Sequence, residues 1–154
     1  MKRILVLCLL FGGLYSLFPQ GSPKFDIGIG PEFNMNSRKN FAAGGILTFD
    51  YNFGAAFALG FTATASYNFA GFTVIEPAAM FRWYFIGAGK GSFFVQADLG
   101  VSIILEDGDA SAMFLGGLRA GFRLPLGSLF YMEPYGRFGY PFMFGIGVLA
   151  GVRF

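Results

Sequence analysis

The chain has 154 residues, 55% of them apolar and only 13% charged, with a formal net charge of +2. Its charged share is about half that of an ordinary soluble domain, and a chain this short cannot enclose a core large enough to hide so much apolar surface. The composition therefore calls for a nonpolar solvent. With no His in the sequence, Ser–His hydrolysis and His-based acid–base chemistry are excluded, and no catalytic residue is assigned.

Met1, Lys2 and Arg3 form a basic start, and residues 4–15 form an apolar run too short for a membrane span. This is the pattern of a secretory signal. We assign 1–21 to the signal, with cleavage expected somewhere in 16–23, and 22–154 to a single domain. The one Cys, Cys8, lies inside the apolar run. The mature chain then has no thiol chemistry, no Cys/His metal site and no cofactor site. Loss of Lys2 and Arg3 from the eleven basic residues leaves nine, equal to the nine acids, so nothing points to nucleic acid.

From residue 24 onward apolar residues recur at period two, the mark of strands whose side chains alternate between faces. Eight strands are expected. In 24–35, Phe25, Ile27, Ile29, Phe33 and Met35 oppose Asp26, Gly28, Gly30, Glu32 and Asn34. In 41–51, Phe41, Leu47, Phe49 and Tyr51 oppose Ala42, Gly44, Thr48 and Asp50. In 55–67, Phe57, Leu59, Phe61 and Tyr67 oppose Ala58, Gly60, Thr62, Thr64 and Ser66. In 72–86, Phe81, Trp83 and Phe85 oppose Glu76, Arg82 and Tyr84. In 93–105, Phe93, Val95, Leu99, Val101 and Ile103 oppose Gln96, Asp98, Gly100 and Ser102.

The sixth strand, 113–124, sets Phe114, Leu118, Phe122 and Leu124 against Arg119, Gly121 and Arg123. The seventh, 129–138, sets Phe130, Met132 and Phe138 against Glu133, Tyr135 and Arg137. The eighth, 142–154, sets Phe142, Phe144, Ile146, Val148, Ala150, Val152 and Phe154 against Met143, Gly145, Gly147, Leu149, Gly151 and Arg153. Connections at 37–40, 52–54, 68–71, 87–92, 106–111, 125–128 and 139–141 are rich in turn residues. Their shortness favours antiparallel neighbours. Residues 51–75 carry no charge, which is long enough for a membrane helix. Asn52, Gly54, Asn68 and Gly71 break that run, and its alternation favours strands.

Six acids (Asp26, Glu32, Asp50, Glu76, Asp98, Glu133) and five arginines (Arg82, Arg119, Arg123, Arg137, Arg153) sit in strands, all on the small-residue parity. A soluble sandwich would carry many Lys and Glu on its wet face. A narrow polar lumen needs small residues and charges able to pair. We read these eleven as a lumenal charge network, in which Glu76 with Arg82 and Glu133 with Arg137 share an acid-Pro to Arg arrangement. Pro31, Pro77 and Pro134 fall inside strands, where bulges or strand ends are expected because Pro cannot donate to the ladder. The Gly-rich 87–92 lacks phosphate-loop spacing and is read as a turn.

The eight alternating strands, the leader, the internal acid–Arg set and the final strand ending on Phe154 resemble the small eight-stranded outer-membrane barrels, of the OmpA transmembrane domain, OmpX and OmpW type. The resemblance implies an all-β, antiparallel up-and-down transmembrane barrel in the outer membrane of a diderm bacterium, monomeric, with lipid as its solvent. It implies termini in the periplasm. It also implies that Ala150, Val152 and Phe154 present a signal to the outer-membrane assembly machinery. The connections are shorter than is common in that family. Three functions compete: a structural barrel or narrow pore with a filled lumen, an OmpW-like channel for small or hydrophobic solutes, and a surface interaction module.

Overall fold

Alternation gives each strand one greasy and one polar face, and rolling the sheet into a tube places each against a different medium. The computed structural model describes residues 24–36, 41–88, 91–106 and 108–154. The expected signal at 1–21 and the turn at 37–40 lie outside them. The elements are β1 (Lys24–Asn36), β2 (Phe41–Phe53), β3 (Phe57–Asn68), β4 (Phe72–Tyr84), β5 (Ser92–Glu106), β6 (Asp109–Leu126), β7 (Phe130–Tyr140) and β8 (Phe142–Arg153). Each pairs antiparallel with the next, and β8 returns to β1, closing an eight-stranded barrel. Closure leaves no unpaired edge. The backbones of Phe25 and Phe154 seal the seam, each N–H donating to the other's carbonyl at 2.8 and 2.9 Å.

The polarity of this barrel is reversed relative to a soluble protein. Ile29, Leu99 and Ile146 on the outside are 65%, 62% and 67% exposed, whereas Glu32, Glu133 and Arg82 inside are 0%, 0% and 1% exposed. Outer aromatics gather toward the strand ends. Near the termini Trp83 packs on Phe85 at 4.5 Å and Phe93 on Phe122 at 4.8 Å. At the far end Phe138 lies 5.4 Å from Phe144. Inside, tyrosines fill space left by glycines: a Cβ on Gly147 would overlap the Tyr135 ring, and one on Gly151 the Tyr131 ring.

Several boundaries differ from the sequence expectation. No helix among the described residues is long and apolar enough to cross a membrane. Residues 51–75 instead turn at Gly54 and Gly71, whose φ of +83° and +110° suit glycine. The expected six-residue connection at 106–111 is mostly strand, because Glu106 pairs with Asp109 and Ile104 with Ser111. Gly139 and Tyr140 likewise pair with β6, leaving Pro141 alone between β7 and β8. Pro125 pairs with Tyr131, and β4 stops at Tyr84 rather than at residue 86.

The prolines sit at neither bulges nor strand ends. Pro31, Pro77 and Pro134 each keep one ladder, opposite Gly45, Ala63 and Val148. The other ladder opens locally and resumes in unchanged register, as from Ile29↔Ala150 to Glu32↔Gly147. One missing N–H affects only the ladder it would have served. The shift that does occur lies between Met35 and Asn36, opposite Phe144 and Phe142. The extra residue reverses the facing of the strand start. Phe142, expected outside, is therefore 3% exposed and packs with Ala42 and Val74.

Candidate functional site

Alternation delivers all eleven strand charges to the lumen, and Asp26, Glu32, Asp50, Glu76, Arg82, Asp98, Arg119, Arg123, Glu133 and Arg137 are buried there. Arg153, at the mouth near the termini, is partly exposed. Ionised groups in a narrow lumen must find counter-charges, and they do so in two sets.

The first set lies toward the termini. Arg82 donates to both carboxylate oxygens of Glu133 at 3.0–3.1 Å and to Tyr84 at 2.8 Å, and stands 3.7 Å from Asp50. Arg123 bridges Glu133 and Asp26. Its guanidinium lies between aromatic rings, 4.0 Å from the Tyr131 centroid and 4.8 Å from that of Tyr84, an arrangement that replaces water around a planar cation. Arg153 holds Asp26 at 2.9 and 3.0 Å and also donates to the Ala88 carbonyl. Asp26 and Asp50 face each other across the β1–β2 ladder, and the Asn52 amide donates to both, at 3.0 and 3.4 Å.

The second set lies beyond. Arg119 and Arg137 are direct cross-strand neighbours, a repulsive juxtaposition on its own. Glu32 resolves it by accepting from Arg119 at 3.0 Å and from Arg137 at 2.9 Å. Tyr135 and Asn34 donate to the same carboxylate at 2.6 and 2.8 Å. Arg119 also holds Asp98 at 2.7 Å, and Arg137 holds Glu76 at 2.7 Å. Gln96 links the sets, accepting from Arg82 at 2.8 Å and donating to Asp98 at 2.6 Å.

The two acid-Pro to Arg pairs singled out in the sequence exchange partners. Glu76 meets Arg137, and Glu133 meets Arg82 and Arg123. Acid and Arg of one strand are spaced apart along the axis, so the ion pairs run between strands. Gln96, Tyr84 and Tyr135 share the lumenal parity in the sequence but, being uncharged, do not stand out there, and Tyr131 and Asn52 fall at a strand start and in an expected turn. Their lumenal parity was the available signal. Among the described residues no group of three or more acids, His or Cys is placed to hold a metal. Ala150 and Val152 on β8, and Phe154 just beyond it, are exposed beside the seam.

Solved structures resemble this architecture along almost their whole length. The N-terminal β-barrel domain of Pseudomonas aeruginosa OprF superposes with a TM-score of 0.66 at 14% identity, covering 86% of this chain and 97% of that one. Neisserial surface protein A gives 0.62 at 12% identity, over 86% and 96%. The outer membrane protein OprG of P. aeruginosa gives 0.62 at 10% identity, over 90% and 98%. The fold is that of the small eight-stranded outer-membrane barrels. No protein-family model matches the sequence, and a search of curated proteins found no match. At 10–14% identity few residues are shared with these structures, so the likeness is one of fold.

Proposed function

We propose that the chain is an integral protein of a diderm outer membrane, a structural barrel whose lumen is closed by side chains. The observation that carries this reading is the lumenal network: buried arginines held from at least two sides by carboxylates and rings. Displacing any one of them would leave a buried charge unpaired, at about 3–5 kcal/mol. Residues 1–21 serve as the cleaved signal, the termini face the periplasm, and Ala150, Val152 and Phe154 are read by the assembly machinery. Lipid is the main partner and the barrel is monomeric. Short turns such as the single Pro141 between β7 and β8 argue against an extended adhesive rim.

A narrow path gated by the network is the second reading, favoured by shared acceptors such as Glu133, which two arginines hold. Planar-bilayer recording separates the two. The structural reading expects insertion without current steps in wild type and in Arg82→Ala and Arg137→Ala. Stable steps in wild type would overturn it, and steps appearing only in the variants would favour the gated path.

A further inference from the structure

The lumenal charges balance in one half and not in the other. Among the described residues, Asp26, Asp50 and Glu133 stand with Arg82, Arg123 and Arg153, whereas Glu32, Glu76 and Asp98 share only Arg119 and Arg137. In this second set both oxygens of Glu32 and both of Asp98 accept hydrogen bonds. Glu76 offers Oε2 to Arg137, but its Oε1 is buried and makes no hydrogen bond.

The neighbours of that oxygen lack partners too. Thr64 stands opposite Glu76 on β3. The pairs Ile75↔Ile103 and Ala78↔Gly100 place Ser102 opposite Glu76 on β5. Thr64 Oγ1 and Ser102 Oγ are buried without a hydrogen bond, as is Ser66 Oγ at the next lumenal position. Directly opposed side chains have Cβ atoms about 4.5–5.5 Å apart, so these oxygens form one row across three strands. Buried polar groups ordinarily have partners, and a buried carboxylate short of counter-charge is expensive. A missing positive charge and a row of unpartnered hard oxygens coincide at one place.

We propose that this row binds one monovalent cation, sodium or potassium, through Glu76 Oε1 and the hydroxyls of Thr64 and Ser102. Oxygen donors suit such hard cations. A single carboxylate oxygen supplies too little charge for a divalent ion, and no acidic triad stands among the described residues. Toward the far end from the row lies the apolar cluster of Phe142, Ala42 and Val74, with Phe72 and Ile104 against it, which offers a cation no ligand. Toward the middle, the guanidiniums of Arg119 and Arg137 repel a cation. The ion rests between them and completes the charge of the second set, whether or not the barrel conducts.

The test is the thermal midpoint of the refolded full chain in detergent, followed by heat-modifiable gel migration. Sodium, potassium and choline chlorides are compared at equal ionic strength, choline being too large to enter. A cation bound only by the native state raises the midpoint, here by a few degrees, in sodium or potassium relative to choline. Glu76→Gln removes the difference, and so does Ser102→Val, which leaves the contact between Glu76 and Arg137 untouched. Equal midpoints in all three salts would overturn the proposal, assigning the row to water or a proton. So would a difference that survives both substitutions, which would place the cation elsewhere.

Discussion

Glu133 shows how a single residue carries the lumen. It is fully buried and receives Arg82 and Arg123 together. Glu133→Gln removes the charge that both guanidiniums share, and we expect a loss of about 3–5 kcal/mol, measured as a lower midpoint of urea unfolding from lipid vesicles. Asp98→Asn should lose clearly less, because Arg119 keeps its 3.0 Å contact with Glu32. Equal losses would mean that the network acts as a diffuse pool of charge. The lumenal placement of these residues was legible in the sequence, since parity alone assigns the face. Their partners were not. Pairing Glu76 with Arg137 depends on strand tilt and on distances across the tube, which same-strand spacing does not encode.

Among elements, β8 depends most on small residues. Gly147 and Gly151 leave the room that the Tyr135 and Tyr131 rings occupy, and from there Tyr135 donates to Glu32. Gly147→Ala should therefore abolish the fast-migrating folded band on unheated gels or sharply reduce it. Gly136→Ala, whose added Cβ would meet nothing closer than 4.0 Å, should leave the band intact. The order and facing of the strands were legible because period two is strict through most of the chain. Their ends were less so. Gly139 and Asp109 look like turn residues but pair in ladders, because a hairpin closes as tightly as its neighbours allow. Phe142 could not be placed correctly, since the register shift beside Met35 is set by the seam with β1, a contact between opposite ends of the sequence.

At the scale of the molecule the polarity is reversed: charges within, hydrocarbon without. Leu99, midway along β5 and 62% exposed, should lie near the bilayer midplane. Leu99→Arg is expected to destabilise the barrel in vesicles by about 2–4 kcal/mol, whereas a soluble protein would tolerate an exposed Arg at little cost. Trp83 offers the most direct reading of the same claim. It is the single Trp of the chain, 44% exposed on the outer face near the termini, where an interfacial aromatic belongs. The measurement is quenching of its fluorescence by bilayers of lipid brominated at different depths of the acyl chain. Bromines close to the headgroup should quench strongly and bromines at the chain end more weakly. Trp83 emission untouched by brominated lipid at any depth would contradict the reversed polarity.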